Sequence, residues 1–312
     1  MKNCKKCGRS ASIHLPMYRL NLCSDHFFDF IRNKMKKIIQ KYKLINPYER
    51  VAVALSGGKD STVLLHLLNS IYSETLDLIG LHINLGITPV DYSKNSYQLA
   101  KELCNKLDRE FVCVDLRKQY RISMDLVKEN EKSLKRPLCS ICGIFKRYLL
   151  NRYSLKLNCD KLATGHVRDD EASVLLMNIF RGNTEHLIRT GPNLIADKTT
   201  MITRIKPLYE ISEQETIVYA QFGNLNIQDG ECPYSKGALS IKYKKFFHNF
   251  ETDIPGIENI FLQNFNKKIL VPLKEYYQKP NDRINRCIQC DGPTSKEICA
   301  FCKIKKILIK NK

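Results

Sequence analysis

The hexapeptide SGGKDS at residues 56–61 carries the residue types that hold a phosphate group. It follows an apolar, β-branched run, Val51–Leu55, and comes just before a helical apolar run, Thr62–Ile71. Its two glycines let backbone N–H groups approach an anion without Cβ clashes, and the start of a helix adds unpaired donors and partial positive charge. The segment is too short for the pattern G-x4-G-K-[ST] and lacks G-x-G-x-x-G. It therefore predicts a phosphate-binding loop of another kind.

Three cysteines in the middle of the chain form a second candidate site. Cys139 and Cys142 lie just before a predicted helix, Gly143–Leu157, and Cys232 follows in a Cys-Pro pair. A helix N-terminus lowers the pKa of a thiol, which suits metal binding or nucleophilic sulfur chemistry. Three thiolates leave one corner of a cubane iron–sulfur cluster without a protein ligand, where a sulfur atom could bind for transfer. Two alternatives stay open: persulfide or disulfide chemistry at these cysteines, and a structural zinc site with His166 as fourth ligand.

Each end of the chain carries four metal-ligand residues at zinc spacing. The C-terminal set has the pattern C-x2-C-x8-C-x2-C and comprises Cys287, Cys290, Cys299 and Cys302. The N-terminal set is of the Cys3His type, with His14 as an alternative fourth ligand, and comprises Cys4, Cys7, Cys23 and His26. Stretches this short bury no core of their own, and a structural zinc contributes about 10–16 kcal/mol of apparent binding free energy. We therefore predict two structural zinc sites.

The remaining cysteines show no such spacing. They are predicted to be small buried hydrophobic residues and comprise Cys104, Cys113 and Cys159.

Strands and helices alternate through the middle of the chain, as expected of a parallel sheet covered on both faces. Besides the elements already named, apolar periodicity predicts helices at Phe27–Ile45, Tyr97–Leu107 and Asp170–Phe180, and strands at Leu76–Ile83, Glu110–Leu116 and Lys161–Thr164. Residues 235–285 are irregular, and no element is predicted there. Because ligands of such α/β folds bind at the carboxyl ends of the strands, the phosphate loop is expected at that edge.

Composition and charge narrow the class of protein. The chain has 312 residues, of which 43% are hydrophobic and 27% charged, which is typical of a soluble globular protein. No stretch approaches the ~18 apolar residues of a membrane helix, and the N-terminus has no apolar signal core, so we expect a cytoplasmic protein. The net charge is +19, with +9 in residues 1–50, +8 in residues 267–312 and +2 between them. Basic ends around a neutral body suggest a polyanionic partner, since counterion release supplies affinity.

Taken in order, these motifs resemble those of a known family. SGGKDS is similar to the PP-loop of ATP pyrophosphatases. The N-terminal zinc set, this loop, PLCSICG at 137–143, GHVRDD at 165–170, the late Cys-Pro and the C-terminal zinc set resemble the two-zinc tRNA 2-thiouridine synthetases of the TtuA type over nearly the whole chain. The segment LCSDH at 22–26, with histidine as last ligand, favours this type over the related wobble-uridine enzymes.

The resemblance implies an architecture. It implies an α/β, PP-loop (adenine nucleotide alpha hydrolase-like) parallel sheet with helices on both faces, flanked by zinc-binding modules. The expected domains are an N-terminal zinc finger at 1–27, a connecting helix at 28–47, a PP-loop catalytic domain at 48–280 and a C-terminal zinc ribbon at 281–312.

The resemblance also implies roles for individual residues. Cys139, Cys142 and Cys232 would hold a [4Fe-4S] cluster. Lys146, four residues beyond Cys142 and on the same helix face, would be catalytic together with Asp60 and Asp170. Asp169 or Asp170 is also expected to cap the following helix. The implied ATP-binding residues are Ala54, Ser56, Gly57, Gly58, Lys59, Asp60, Ser61, Ile83, Lys146, Gly165 and Asp170.

The implied reaction is ATP-dependent thiolation of tRNA. With ATP and Mg²⁺ bound, uracil O2 of a tRNA uridine attacks the α-phosphate and releases pyrophosphate. Sulfur then attacks C2 and AMP leaves. The target base has to leave its stack to reach the pocket. The resemblance further implies tRNA and a ubiquitin-like sulfur-carrier protein as partners, a homodimer, and uridine 54 of the T-loop as target, with wobble uridine 34 as the alternative.

Two other functions stay open on the sequence. A different PP-loop enzyme, such as a tRNA lysidine synthetase or an amidotransferase-coupled ligase, does not explain the three central cysteines. A zinc-ribbon RNA-binding protein without chemistry does not explain SGGKDS or GHVRDD.

Overall fold

The structure is a computed structural model that describes residues 2–235, 239–277 and 285–310. In chain order its strands are Ile13–Leu15 (β1), Leu20–Leu22 (β2), Arg50–Leu55 (β3), Asp77–Asn84 (β4), Glu110–Asp115 (β5), Lys161–Ala163 (β6), Asn193–Leu194 (β7), Thr203–Ile205 (β8), Asn285–Arg286 (β9) and Pro293–Thr294 (β10).

The helices cover the sheet and extend beyond it. The α-helices are Ser24–Lys41 (α1), Lys59–Tyr72 (α2), Tyr92–Lys106 (α3), Leu116–Tyr120 (α4), Met124–Glu129 (α5), Glu131–Leu134 (α6), Leu138–Lys156 (α7), Arg168–Phe180 (α8), Thr184–Leu187 (α9), Glu213–Phe222 (α10), Leu239–Asp253 (α11), Ile257–Asn264 (α12), Leu270–Tyr277 (α13) and Ala300–Lys310 (α14). Short 3-10 turns lie at Pro16–Tyr18 and Pro89–Asp91, and a π-helical segment, Phe265–Ile269, joins α12 to α13.

The central sheet has six strands in the order β5-β4-β3-β6-β8-β7. Five of them are parallel, and the short edge strand β7 runs antiparallel to β8. The segments that follow β3, β4 and β6 therefore meet at one edge. This confirms the predicted α/β class and the predicted place of the phosphate loop.

Alternate residues of β3 point into two separate cores. Val51 and Val53 belong to a core shared with α1, α2 and α10, whereas Ala52 belongs to the core beneath α7. Helices thus cover both faces, as predicted. The second core also includes Cys287, Phe301 and other residues of the C-terminal module, so this module packs directly on α7.

Several helix ends differ from the predictions because apolar periodicity marks the buried face and not the ends. α1 begins at Ser24 rather than Phe27 and ends at Lys41, where Lys43 adopts a left-handed φ of 49°. α7 begins at Leu138 rather than Gly143, with Pro137 as its N-cap. Cys139 and Cys142 therefore lie within the first turns of α7 and not before it.

In its described residues, the segment for which no element is predicted contains three α-helices, α11 to α13. They pack on α8 through a third core that includes Ala172, Phe247 and Leu262. The buried Arg168 of α8 joins them, because its Nε and Nη2 contact Glu258 at 3.0 Å and Glu251 at 3.4 Å. These contacts bring a lysine-rich, weakly periodic segment next to the sheet edge.

The predicted domain limits remain a prediction. The division between residues 27 and 28 falls inside α1, whose first turn carries His26. The division between residues 280 and 281 lies outside the described residues. Across the described ranges, none of the helices combines the length and apolar character needed to cross a membrane.

Candidate active site

The conformation of the loop after β3 is fixed by hydrogen bonds of its own serines and by close packing against α3. Ser61 Oγ donates to Gly58 O at 3.0 Å and accepts from Ser56 N at 3.1 Å. Gly57 has a φ of +80°, and a Cβ there would lie 2.8 Å from the Ser96 backbone of α3. Only glycine fits this position, because a side chain would clash with α3 and the positive φ disfavours other residues.

The first turn of α2 leaves its backbone donors available to an anion. Gly58 is the N-cap and makes no side-chain capping bond, so the N–H groups of the first turn have no intrahelical partner. After β6, Gly165 lies against this turn, because a Cβ there would be 2.9 Å from the backbone of Asp60 and Ser61. The structure therefore brings together three predicted nucleotide-binding residues, Asp60, Ser61 and Gly165, which lie up to 105 positions apart along the chain.

Lysines and carboxylates form a network beside the loop. Asp60 accepts from Thr216 Oγ1 at 2.6 Å and from Lys59 Nζ at 3.2 Å, and Lys59 Nζ also donates to Glu213 at 2.6 Å. Burial raises the pKa of Asp60 above its usual value, despite Lys59. Burial alone would lower the pKa of Lys59, but Asp60 and Glu213 raise it. Lys59 is thus a fixed cation within the loop segment.

The two aspartates of GHVRDD accept hydrogen bonds from different helices. Asp170 Oδ2 accepts from the N-cap N–H of α8, Val167, at 3.5 Å, so Asp170 takes part in capping its own helix. Asp169 Oδ2 instead accepts from Glu213 N at 2.8 Å, at the start of α10. The preceding His166 is open to solvent, and its Nδ1 lies 2.9 Å from Thr164 Oγ1.

Lys244 of α11 completes this network, although nothing in the sequence pointed to it. Its Nζ contacts Asp170 Oδ1 at 2.7 Å and Glu213 Oε2 at 2.9 Å. Burial works against the charged form, but the two carboxylates raise the pKa of Lys244 well above its usual value. Glu213 therefore bridges Lys59 and Lys244 at the end of the sheet that carries SGGKDS.

The three central cysteines approach one another at the N-terminus of α7. Cys139 Sγ lies 3.6 Å from Tyr234 O, two residues beyond Cys232. Burial, and then Cys232, raise the pKa of Cys139. Burial and the two neighbouring cysteines also raise the pKa of Cys142, while Lys146 lowers it. Neighbouring thiolates repel one another, and a bound metal cluster would neutralise their charge. The three cysteines therefore suit a polynuclear metal site.

The spacing of these thiols argues against a single zinc ion. Among the described residues, the groups whose ligand atoms all lie within 4.8 Å are the two terminal sets. The central cysteines do not form such a group, and His166 bonds to Thr164 instead. The zinc alternative with His166 is therefore not favoured.

The segment that carries Cys232 is tied to both halves of the site. Gln228 N donates to Gly57 O in the phosphate loop at 2.9 Å. Further on, Tyr234 OH donates to Asp125 Oδ1 of α5 at 2.8 Å. One stretch of backbone thus links the phosphate loop to the third cysteine.

The other predicted site residues lie around this edge. Lys146 is exposed on α7 and makes no hydrogen bond or ion pair among the described residues, which leaves its amine available. It lowers the pKa of both Cys139 and Cys142. Ala54 and Ile83 belong to the core on the α7 face of the sheet.

The terminal sets are compact. In the N-terminal set, His26 Nδ1 lies 3.3 Å from Cys23 Sγ and 3.6 Å from Cys4 Sγ. His14 is turned away, with its Nδ1 2.6 Å from Asn21 Oδ1, so His26 is the fourth member. In the C-terminal set, burial opposes ionisation of Cys287, but backbone N–H donors lower its pKa to about 6. Both sets have the chemistry and closure of structural metal sites.

Several contacts of this network involve residues that sequence patterns do not single out. Glu213 and Thr216 belong to α10, whose start carries the capping-box pattern at Ser212 and Glu215. That pattern could have predicted the helix, but not its place beside the loop. For Lys244 no sequence signal exists, because lysines are frequent around it.

Comparisons with known proteins agree with this geometry. The family model "PP-loop domain" matches residues 29–232, and "2-thiouridine synthetase TtuA, N-terminal LIM domain" matches residues 3–28. The chain is 37% identical over 300 residues to a tRNA-5-methyluridine(54) 2-sulfurtransferase of Pyrococcus horikoshii, covering 96% of this chain and 92% of that protein. It is 34% identical over 301 residues to the protein of that name from Thermus thermophilus, covering 96% and 90%.

A solved structure is similar over the full length. It is the U34-tRNA thiolase NcsA from Methanococcus maripaludis with its [4Fe-4S] cluster, at 29% identity and a TM-score of 0.80, covering 99% of this chain and 97% of that chain. The chain therefore belongs to the PP-loop family that contains the tRNA-5-methyluridine(54) 2-sulfurtransferases and the tRNA 2-thiolation protein NcsA.

Proposed function

We propose that this protein is an ATP-dependent tRNA sulfurtransferase that converts a uridine into 2-thiouridine. The observation that carries the proposal is the link between two chemistries: Gln228 ties the segment of Cys232 to Gly57 of the phosphate loop. Phosphate binding and sulfur chemistry thus share one edge of the sheet. Relatives with this activity in their names match nearly the whole chain.

In the first step, the uridine is activated. The first-turn N–H groups of α2 and the ammonium of Lys59 bind the phosphates of ATP, with Mg²⁺. Uracil O2 attacks the α-phosphorus, the bond to the bridging oxygen breaks, and pyrophosphate leaves. Asp60 lies in this loop and Asp170 lies near it, and the amine of Lys146 would stabilise the negative charge that develops on the reacting base.

In the second step, sulfur at the sulfide oxidation level replaces the activated oxygen. It attacks C2, the C2–O bond breaks, and AMP carries the oxygen away, so no oxidant or reductant is required. Cys139, Cys142 and Cys232 would hold a [4Fe-4S] cluster, and ligation by only three thiolates would leave it able to accept a sulfur donor. Lys146, which lowers the pKa of two of these thiols, also stabilises their ionised forms.

Cofactors and partners complete the proposal. The two terminal sets each hold a structural zinc. A ubiquitin-like carrier with a C-terminal thiocarboxylate delivers the sulfur, and the enzyme is a homodimer. We place it in the cytoplasm, as the name of its Drosophila mojavensis relative, cytoplasmic tRNA 2-thiolation protein 1, does for that protein.

Position 54 is the proposed target, because the relatives named for it reach 34–37% identity. The alternative target is wobble position 34, which the structurally similar NcsA modifies. A lysidine synthetase is not favoured by any of these relatives.

The test is thiolation by anaerobically purified protein. A tRNA transcript is incubated with ATP, Mg²⁺ and sulfide, and its nucleosides are analysed by mass spectrometry. We expect 2-thiouridine and AMP, and loss of the thionucleoside when uridine 54, but not uridine 34, is replaced by cytidine. AMP release without any thionucleoside would overturn the sulfurtransferase proposal, and the reverse transcript dependence would move the target to position 34.

A further inference from the structure

A strongly basic groove lies between α7 and the C-terminal module. Its cavity has a volume of about 540 Å³. The charged residues in the described part of the chain that line it are one acid, Asp291, and five bases: Arg147, Arg152, Lys156, Arg204 and Arg286. A solvent-exposed face usually carries both signs of charge, so this imbalance indicates an anionic partner.

The bases of the groove are poorly neutralised by the protein itself. Arg286 pairs with Asp291, and Arg152 donates to Cys290 O at 3.0 Å. In the described part of the chain, Arg147 and Arg204 make neither a hydrogen bond nor an ion pair through their guanidinium groups. Burial, and then Arg147, lower the pKa of Arg204, so the two cations oppose each other. The nearby Glu171 is already bonded to Lys206 at 2.7 Å.

The groove continues along the C-terminal helix. A second cavity of about 520 Å³ shares Tyr148, Arg152, Cys290 and Phe301 with the first. Among the described residues it adds no acid and three lysines, which are Lys305, Lys306 and Lys310. The positive charge thus extends as a stripe across two joined cavities, which suits a polymer with repeated charges better than a single small anion.

One end of this stripe reaches the cysteines. Arg147 follows Lys146 on α7, and its Nη1 would lie 3.1 Å from a Cβ on Gly143. Its guanidinium therefore lies over the first turns of α7, which carry Cys139 and Cys142. A chain that lay in the groove would pass directly beside the proposed sulfur site.

We propose that this groove binds the phosphate backbone of the RNA next to the reacting nucleotide, with Arg147 and Arg204 sharing one phosphate. A phosphate between two unpaired guanidinium groups relieves their repulsion and accepts their paired N–H donors. The groove then holds the strand while the target base enters the pocket. The identity of the RNA as tRNA rests on the proposed function, but phosphate binding does not.

Binding is tested without ATP, so that it does not depend on catalysis. The affinity of a fluorescent tRNA transcript is measured by anisotropy over a range of salt concentrations. For Arg204→Gln and Arg147→Gln we expect roughly tenfold weaker binding and a salt slope smaller by about one. The matched control is Lys101→Gln, an exposed α3 lysine that makes no ion pair among the described residues, and its binding should equal that of wild type.

A second variant distinguishes the loss of positive charge from a disturbance of the fold. Arg204→Lys keeps the charge and loses the planar fork, so it should bind between wild type and Arg204→Gln, with the wild-type salt slope. Wild-type affinity and slope in both glutamine variants would overturn the proposal. So would unchanged RNA binding combined with weaker binding of an acidic carrier protein, because the groove would then serve that partner.

The two proposals can fail separately. If wild-type protein makes no thionucleoside while the glutamine variants still lose affinity and slope, the proposed function fails and the groove stands. If thiolation occurs and the variants bind normally, the groove proposal alone fails.

Discussion

The terminal metal sets and the central cysteine site use the same residue type in opposite ways. Each terminal set gathers four ligands from fewer than 30 residues, and their ligand atoms all lie within 4.8 Å of one another. The central site takes Cys139 and Cys142 from α7 and Cys232 from a segment 90 residues later. In the described part of the chain, its three sulfur atoms do not all lie within 4.8 Å of one another. The segment of Cys232 is also bonded to the phosphate loop. Local, closed ligation suits a structural ion, whereas distant, open ligation suits chemistry.

Replacing a central cysteine should have the largest effect on activity. For Cys232→Ser we expect thiolation to fall by about 100-fold or more, since even partners of metal ligands are worth 10–100-fold. The brown iron–sulfur absorbance of the anaerobically purified protein should be lost as well. The matched control is Cys113→Ser, a half-buried thiol outside all three sets. Full thiolation in Cys232→Ser would remove the distinction between the two kinds of site.

Replacing a terminal cysteine should change a different quantity. For Cys287→Ser we expect the zinc content to fall from about two ions per chain to about one, because a structural site holds its module together. Iron absorbance should persist, while tRNA binding weakens because this module forms one wall of the basic groove. Elemental analysis and anisotropy measure both quantities. Loss of iron together with zinc would show that the sites are not independent.

A Lys244 variant tests whether the ion pairs beside the phosphate loop contribute to activity. Lys244→Gln removes the cation that joins Asp170 to Glu213. A hydrogen bond to a charged group is worth about 1.5–3 kcal/mol, so we expect roughly tenfold slower AMP release from ATP, with unchanged zinc and iron content. Lys245→Gln, an exposed neighbour on the same helix, is the control. Equal rates in the two variants would show that the network is incidental.

The smallest expected effect is a loss of folding stability at acid pH, caused by His82 of β4, which contacts the end of β3. His82 is 2% exposed, its Nδ1 donates to Leu55 O at 2.9 Å, and burial lowers its pKa to about 4. The unfolded chain therefore binds the extra proton below about pH 6.5 and the folded protein does so only near pH 4. Stability should fall by about 1 kcal/mol between pH 7.5 and pH 5.5.

Urea unfolding at the two pH values measures this loss. The loss should be smaller in His82→Gln, which does not titrate. The zinc and iron contents of wild type should stay constant over the same range. An equal loss of stability in wild type and variant would assign it to other groups.

Much of this protein could be predicted from its sequence, because the motifs concerned depend on residues that are close together in the chain. Glycines and serines in SGGKDS, cysteines two residues apart and alternating apolar runs encode their structure within a few residues. Gly165 was predicted to lie near the nucleotide only through the resemblance, since its contact with the α2 turn depends on the order of strands β3 and β6.

What the tertiary structure alone decided lies where distant segments meet. The bonds of Lys244 to Asp170 and of Gln228 to Gly57 join residues more than 70 and more than 170 positions apart. The basic groove likewise exists only because the C-terminal module packs on α7. No spacing in the chain encodes such contacts, because a parallel sheet collects its active residues from strand ends that are far apart in sequence.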